Sequence, residues 1–133
     1  IKTIDYLIAI YLQPTIKAAG ADDVVYYFNG MVTECPRANF FMVTDQGEVL
    51  TPKENILHGV TRKHLLKLKG YIIREANINI EMLASAKEAF ISSSTKNILP
   101  VISIDGHTIG DGKPGSITRN LYQQLIHLKG ISF

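Results

Sequence analysis

The alternation of hydrophobic and polar residues divides the chain into helical and extended segments. Apolar residues recur at helical spacing within residues 3–19, which predicts a helix with a bend at Pro14. The same spacing predicts a helix over residues 56–68, at most a short helix over residues 80–85, and a final helix that Ser116 caps. These segments are the helical part of the predicted fold.

The remaining apolar runs are short, alternating or rich in β-branched residues, as is typical of strands. They cover residues 24–28, 31–34, 39–43, 48–50, 71–76, 89–92 and 98–104, the last of which is predicted to be a buried pair of strands around Pro100. Asn29-Gly30, between the first two runs, is a strong two-residue signal of a hairpin turn. Strands outnumber helices, so we predict an α/β domain over residues 1–133 with a mixed, partly barrel-like sheet and flanking helices.

Composition narrows the class of protein. The 133 residues are 46% hydrophobic and 20% charged, as in an ordinary globular domain, and the net charge of +2 does not indicate a nucleic-acid partner. No apolar run is long enough to predict a membrane-spanning helix. A single cysteine cannot form an internal disulfide, so a cytoplasmic location is expected. Because the sequence begins with Ile1, we expect it to be part of a longer protein.

Residues 31–66 contain the groups with the most suggestive chemistry. Glu34 lies on a predicted strand, and residues 59–62, Gly-Val-Thr-Arg, open a predicted helix. A glycine and a threonine at a helix start offer N–H groups and a hydroxyl to an anion. The hydroxyl run of residues 92–95 provides a second turn able to face the same anion. The amine of Lys2, if its pKa were lowered, would be able to form a Schiff base.

Each of these residues also has an ordinary interpretation. Lys2 reads first as a solvated charge near the start of the sequence. Glu34 reads as an edge carboxylate paired with Arg37, and Thr61 as a plain helix N-cap. The run of residues 92–95 reads as a loop. Sequence alone does not separate an N-cap from a phosphate ligand, because both use the same geometry.

Other potential motifs carry little weight. Cys35 has no histidine at a spacing that supports a nucleophilic pair, and it is interpreted as a small buried hydrophobe. His58 and His64 are six positions apart and do not lie on the same face of a helix, so no metal site is predicted. Residues 110–115 match the bare pattern G-x-G-x-x-G. The acidic residue that a dinucleotide site needs about twenty positions later is missing, so we interpret them as a glycine-rich turn.

Several short fragments become recognisable when taken in order. They are Ile-Lys-Thr at 1–3, Val-Thr-Glu at 32–34, Asn39-Phe40, Leu-x-Gly-Val-Thr-Arg at 57–62, Glu-x-Phe-Ile-Ser-Ser-Ser at 88–94, Pro100-Val101, Ile-Asp-Gly at 104–106, and Gly110-x-Gly112-x-x-Gly115 with Thr118. Together they resemble the C-terminal domain of the class IV, fold-type IV aminotransferases. This family depends on pyridoxal 5'-phosphate and includes D-amino-acid and branched-chain aminotransferases and aminodeoxychorismate lyases. The resemblance covers essentially the whole chain.

The resemblance implies a role for each matching residue. Lys2 would hold the cofactor as a Schiff base and carry the proton between the substrate α-carbon and the cofactor. Glu34 would bond the pyridine nitrogen and keep it protonated, so that the ring withdraws electrons. Leu57 would pack on the ring face.

The phosphate and substrate roles fall on two other segments. The N–H of Val60, the side chain of Thr61 and Ser94 would hold the phosphate, and the N–H of Thr95 would meet a substrate carboxylate. Arg37 stands where relatives carry small or hydroxylated residues, so it is expected to contact substrate or phosphate in its own way.

The resemblance also predicts the reaction and the partners. We expect a transaminase that moves an amino group between an amino acid, D-amino or branched-chain, and a 2-oxo acid. The spacing from Lys2 to Asp5-Tyr6 is that of D-amino-acid aminotransferases and of the lyases. The intact Val-Thr-Arg and Pro-Val-x-x-Ile-Asp-Gly motifs, which lyases seldom keep, then favour the D-amino-acid type. Family members are homodimers whose N-terminal domain and partner subunit supply the phosphate-binding arginine and the residues that select the substrate. That domain is expected to lie outside the given sequence.

Two other functions stay open at this point. One is a lyase that releases pyruvate from a chorismate derivative. The other is a non-catalytic fragment or binding module that lacks the N-terminal half of the site. Since one wall of the site is missing, the isolated 133-residue chain is expected to be inactive or weakly active.

Overall fold

The computed structural model describes residues 25–35, 37–54, 56–104 and 107–130. The helix predicted over residues 3–19, including Pro14, and the candidate catalytic Lys2 lie outside the described residues. In the described part of the chain, no helix is long and apolar enough to cross a membrane.

The secondary structure follows the predicted order of elements. The strands are β1 (Tyr27–Phe28), β2 (Met31–Val32), β3 (Glu34–Cys35), β4 (Ala38–Val43), β5 (Val49–Thr51), β6 (Ile73–Glu75), β7 (Glu88–Ser93), β8 (Asn97–Pro100), β9 (Ser103–Ile104) and β10 (His107–Thr108). The helices are α1 (Val60–Leu66), a 3₁₀ helix (Ile80–Ser85) and α2 (Ser116–Leu128).

The main sheet is built around β4. Its strand order is β6-β5-β4-β7-β8, and β3 also pairs with β4. Strand β4 is antiparallel to β3, β5 and β7, whereas β5 and β6 are parallel, so the sheet is mixed. The strand path stays open within the described residues. The predicted α/β class with a mixed sheet and flanking helices is confirmed.

The central strand β4 is covered on both faces. Successive side chains of a strand point to opposite faces, and here both faces are apolar. Phe40 and Met42 pack in one cluster with Val32, Cys35 and Ile78. Phe41 and Val43 face α1 and α2 and pack with Leu65, Leu121 and Leu125. The ring of Phe41 also stacks on that of Phe90, with 4.8 Å between centroids.

The predicted hairpin forms at Asn29-Gly30. Their φ angles are 51° and 77°, the pair of positive values that a type I′ turn needs. Tyr27 pairs with Val32 and Phe28 with Met31. The glycine-rich residues 110–112 also form the predicted turn, with Gly110 and Gly112 at positive φ.

Three details differ from prediction. Helix α1 begins at Val60 rather than at residue 56, because the preceding Gly59 is extended (φ −63°, ψ 152°). The segment over residues 98–104 contains two strands, as predicted, but it is only partly buried, since Leu99 and Ile102 are 41% and 47% exposed. The N-cap of α2 is Gly115, not Ser116, because the Glu88 carboxylate receives the N–H groups of Ile117 and Thr118.

Candidate functional site

A cavity of about 320 Å³ opens on the helix-covered face of the main sheet. Three chain segments line it, within residues 34–39, 57–61 and 92–94. Its volume is at the lower end of the range for small-molecule sites. It therefore brings together the candidate acid, the helix start and the hydroxyl run, which are far apart in sequence.

One side of the cavity is a row of polar side chains across three strands. Glu34 pairs with Asn39, and Asn39 pairs with Ser92 on its other side. Directly paired residues point to the same face of a sheet. The row therefore shares the face of Phe41 and Phe90 and continues that apolar surface with polar groups. All three residues are buried, with 1–6% exposure.

Glu34 is held from two sides. Its Oε1 accepts a hydrogen bond of 3.0 Å from the backbone N–H of Leu57 and a contact of 3.5 Å from Asn39 Nδ2. The same Asn39 amide donates to the Leu57 carbonyl oxygen at 2.8 Å. The backbone N–H and carbonyl of Leu57 are thus bonded to Glu34 and Asn39, and Leu57 lies before the start of α1. The Leu57 side chain is about half exposed and lines the cavity.

Ser92 has a buried hydroxyl with no acceptor or donor among the described residues. The side chain is 1% exposed, and its Oγ makes no hydrogen bond. A buried hydroxyl without a partner is costly and is uncommon in native proteins. Since Ser92 lines the cavity, a bound polar group is able to satisfy it.

The start of α1 closes a second side. Gly59, the N-cap, packs so closely that a Cβ there would lie 2.7 Å from Asn39 Oδ1. Thr61 is the second residue of the helix and 2% exposed, so its interpretation as the N-cap is wrong. Its Oγ1 accepts a hydrogen bond of 3.3 Å from Lys129 Nζ. Val60 is exposed and lines the cavity.

The hydroxyl run forms the third side and a turn beyond it. Ser92, Ser93 and Ser94 line the cavity, and Ser93 Oγ accepts from the backbone N–H of Lys96 at 3.0 Å. Ser94 and Thr95 are exposed in the turn after β7, and Thr95 does not line the cavity. The run therefore divides between the cavity and the surface.

Two arginines behave differently around the cavity. Arg37 lines it and has a positive φ of 60°, which is uncommon for a non-glycine residue. Arg62, 1% exposed, is turned away and donates to the Pro52 carbonyl oxygen at 2.9 Å and to the Glu75 carboxylate. The hydrogen bond from Arg62 lowers the pKa of Glu75, against a smaller opposing effect of partial burial. Arg62 therefore links the segment that follows β5 to α1 and β6.

The arrangement suits a ligand with two different polar groups. A buried carboxylate stabilises a protonated nitrogen, and several hydroxyls stabilise an anion. Among the described residues, no group of three histidine, cysteine or acidic side chains is placed to hold a metal ion. Cys35 packs on the opposite face of the sheet, as its interpretation as a small buried hydrophobe predicted.

Comparison with known proteins decides the family. The family model described as amino-transferase class IV matches residues 1–104. The chain belongs to the class IV aminotransferases. The family resemblance seen in the sequence is confirmed.

Individual class IV aminotransferases match over most of this chain. The D-alanine aminotransferase of Bacillus licheniformis is 34% identical over 130 residues, which are 94% of this chain and 46% of that protein. The branched-chain-amino-acid aminotransferase-like protein 1 of Arabidopsis thaliana is 35% identical over 118 residues, or 84% of this chain and 21% of that protein. The chain thus spans less than half the length of these relatives.

Solved structures of class IV aminotransferases share the fold. The branched-chain amino acid aminotransferase from Escherichia coli has a TM-score of 0.85 at 30% identity, covering 96% of this chain and 45% of its own. The branched-chain amino acid aminotransferase from Thermobaculum terrenum, in its PLP-bound holo-form, also has a TM-score of 0.85, at 26% identity, covering 96% and 44%.

The sequence-based prediction gave Asn39 and Lys129 no individual role, and it gave Ser92 one only as part of the run at residues 92–95. Asn39 carries a detectable signal, because it is a polar residue at the buried end of the apolar strand β4. The orphaned hydroxyl of Ser92 depends on the pairing of β4 with β7, and Lys129 is 68 positions from Thr61. Sequence periodicity does not report such tertiary contacts.

Proposed function

We propose that residues 1–133 form the cofactor-binding C-terminal domain of a pyridoxal-phosphate-dependent transaminase. The observation that carries the proposal is the convergence of Glu34, Thr61 and the serines at 92–94 on one cavity. The family match and the D-alanine and branched-chain aminotransferase relatives support it. The enzyme moves an amino group between an amino acid and a 2-oxo acid.

The residues of the cavity fit this cofactor. The buried Glu34 carboxylate suits a protonated ring nitrogen, and the orphaned Ser92 hydroxyl needs a polar partner. Thr61 and Ser94 provide hydroxyls and Val60 a backbone N–H for the phosphate. Leu57 is half exposed and lines the cavity, so it would pack on the ring face of the cofactor.

When bound, pyridoxal phosphate supplies an electrophilic carbonyl carbon and a ring that withdraws electrons from the reacting carbon. The Nζ of Lys2 holds the cofactor and transfers the proton of the substrate α-carbon. Glu34 keeps a proton on the ring nitrogen, and the bonds from Leu57 and Asn39 fix its carboxylate in place. The guanidinium of Arg37, which lines the cavity, and the backbone N–H of Thr95, in the exposed turn beside it, would orient a substrate carboxylate.

We propose D-amino acids as the first class of substrate. D-alanine aminotransferases of several bacteria are 29–34% identical to the chain over nearly its whole length. Branched-chain amino acids are the second candidate, because structures of branched-chain aminotransferases share the fold and the Arabidopsis relative is 35% identical. A lyase of the aminodeoxychorismate type is the third.

We also propose a cytoplasmic homodimer of a longer chain. The relatives are more than twice as long as the matched segment, which supports further residues around the cavity. The isolated 133-residue chain is therefore expected to have little or no turnover, and a non-catalytic binding module remains its alternative. Micromolar binding of pyridoxal phosphate by the isolated chain in equilibrium dialysis would count against a module that no longer holds the cofactor.

The decisive experiment adds pyridoxal phosphate to the full-length protein. A visible absorption band should appear in the wild type and in the control Lys96→Ala, and it should be absent in Lys2→Ala. A band that is unchanged in Lys2→Ala would refute the role of this lysine. Glu34→Gln should retain the band but lose most turnover, because the amide cannot stabilise the protonated nitrogen.

Product analysis then separates the substrate classes. D-alanine and L-leucine are compared as donors with 2-oxoglutarate as acceptor, and aminodeoxychorismate is tested for release of pyruvate. Faster turnover of D-alanine supports the first proposal, and turnover of L-leucine alone supports the second. Pyruvate release from aminodeoxychorismate without transamination would identify the lyase.

A further inference from the structure

Lys129 joins the two hydroxyl-bearing walls of the cavity. Its Nζ donates to Thr61 Oγ1 at 3.3 Å and to Asn97 Oδ1 at 2.6 Å. Thr61 belongs to α1, whereas Asn97 ends the turn that carries Ser94. Lys129 itself is the C-cap of α2 and is partly buried. One ammonium group therefore links three separate parts of the fold.

The chemistry of these bonds fixes the direction of the Thr61 hydroxyl. An ammonium group has donors only, so Lys129 donates in both contacts. Thr61 Oγ1 uses a lone pair for Lys129 and keeps its proton to donate. Among the described residues, no acceptor receives this proton, although Thr61 is 2% exposed. The remaining direction is the cavity, which Thr61 lines.

A second observation points to a ligand on the same side. The buried Ser92 hydroxyl, also on the cavity wall, has no partner among the described residues. Two hydroxyl groups with donor capacity thus face the same space. A hydroxyl that accepts a bond from a cation is also a stronger donor, because the hydrogen bonds polarise one another.

We propose that Lys129 is a positioning residue for the anionic group bound in the cavity. It acts through Thr61, whose hydroxyl it holds as a donor, and through Asn97, whose turn it holds against α1. Asn97 has a positive φ of 59°, so this turn has an uncommon backbone conformation that a side-chain bond stabilises. The inference rests on the proposed function only in identifying the anion as the cofactor phosphate.

The test measures affinity of the full-length protein for inorganic phosphate and for pyridoxal phosphate by titration calorimetry. Lys129→Met removes the charge and keeps the length of the side chain, and we expect it to weaken phosphate binding about fivefold to tenfold. Lys129→Arg should restore most of the loss. The control Lys96→Met, an exposed lysine in the same turn, should change the affinity less than about twofold.

A double-mutant cycle tests whether Lys129 acts through Thr61. Thr61→Val removes the hydroxyl, and in that background Lys129→Met should cost clearly less phosphate affinity than in the wild type, because only the contribution through Asn97 remains and coupled residues are non-additive. An equal loss in both backgrounds would overturn the proposed route, as would wild-type phosphate affinity in Lys129→Met. If Lys129 had only a structural role, Lys129→Met would lower the thermal midpoint. Its effect on phosphate affinity would then not depend on whether the Thr61 hydroxyl is present.

The outcomes also separate this inference from the proposed function. Loss of phosphate affinity in Lys129→Met, with no visible band in the wild type with pyridoxal phosphate, would support the anion site and refute the transaminase. A normal band that requires Lys2, with phosphate affinity unaffected by Lys129→Met, would support the transaminase and refute the role of Lys129.

Discussion

Glu88 and Thr118 are joined by two hydrogen bonds across 30 positions of sequence. Glu88 Oε1 accepts from the backbone N–H and from Oγ1 of Thr118, each at 2.7 Å. Its other oxygen accepts from the N–H of Ile117 at 3.2 Å. A carboxylate from β7 therefore caps α2 and lies at the positive end of its dipole. Gly115 leaves space for it, because a Cβ there would overlap the carboxylate.

The cap predicts the effect of Glu88→Gln on stability. The amide keeps one acceptor and loses the charge and one acceptor, so the free energy of unfolding should fall by about 1–2 kcal/mol. Urea denaturation measures this change. Glu81→Gln, at an exposed glutamate of the 3₁₀ helix, is the control and should be nearly neutral. Equal stability of the two variants would contradict the capping role.

Ser92→Ala should change stability and ligand binding in opposite directions. Removing a buried hydroxyl without a partner should leave the free energy of unfolding unchanged or raise it by up to about 1 kcal/mol. Affinity for pyridoxal phosphate should fall about threefold to tenfold, because the ligand loses a hydrogen bond. Denaturation without cofactor and titration with it measure the two effects. A loss of stability with unchanged affinity would show that the hydroxyl serves the fold.

Gly59→Ala should damage the cavity through Asn39. The new Cβ would lie 2.7 Å from Asn39 Oδ1, so the amide that holds Glu34 and the Leu57 carbonyl must move. We expect cofactor affinity to fall about tenfold. In an Asn39→Ala background the overlap is gone, and Gly59→Ala should then have a much smaller effect. Additive losses would mean that the two residues act independently.

Strand positions were predictable because the signal is local. The continuous apolar run of β4 and the positive-φ pair at Asn29-Gly30 depend on neighbours in sequence. The start of α1 was not predictable, because the Leu57 backbone bonds to Glu34, 23 positions earlier. The cap of α2 was mispredicted for the same reason. Ser116 was predicted as the cap, whereas the acceptor for the first N–H groups is the Glu88 carboxylate, 29 and 30 positions earlier in the sequence than its donors.

The residues of the candidate site likewise include some that the sequence identified and some that only the tertiary structure reveals. Glu34, Leu57, Val60, Thr61 and Ser94 were named from ordered motifs, and all five line one cavity. The missing partner of the Ser92 hydroxyl and the contact of Lys129 with Thr61 follow from strand pairing and helix packing, which the sequence does not show. The roles of the five named residues, like that of Lys2, stay predictions until the cofactor is added.

The lowered pKa of Glu75 predicts how the stability of the fold depends on pH. Its pKa lies below the ordinary 4.5, chiefly because Arg62 donates a hydrogen bond to the carboxylate and partial burial opposes this only in part. A carboxylate with a lowered pKa in the folded state stabilises that state above its unfolded pKa, and this stability is lost as the pH falls through the folded pKa.

We therefore expect the protein to lose stability below about pH 4.5, and Glu75→Gln to make this loss less steep. The amide cannot be titrated and forms a weaker bond with Arg62. Urea midpoints between neutral pH and about pH 3 measure the difference between variants. The matched control is Glu54→Gln, because Glu54 is an exposed glutamate and, among the described residues, no hydrogen bond joins it to Arg62. If Glu75→Gln and Glu54→Gln follow the wild-type pH profile equally, the Arg62–Glu75 pair does not contribute to acid sensitivity.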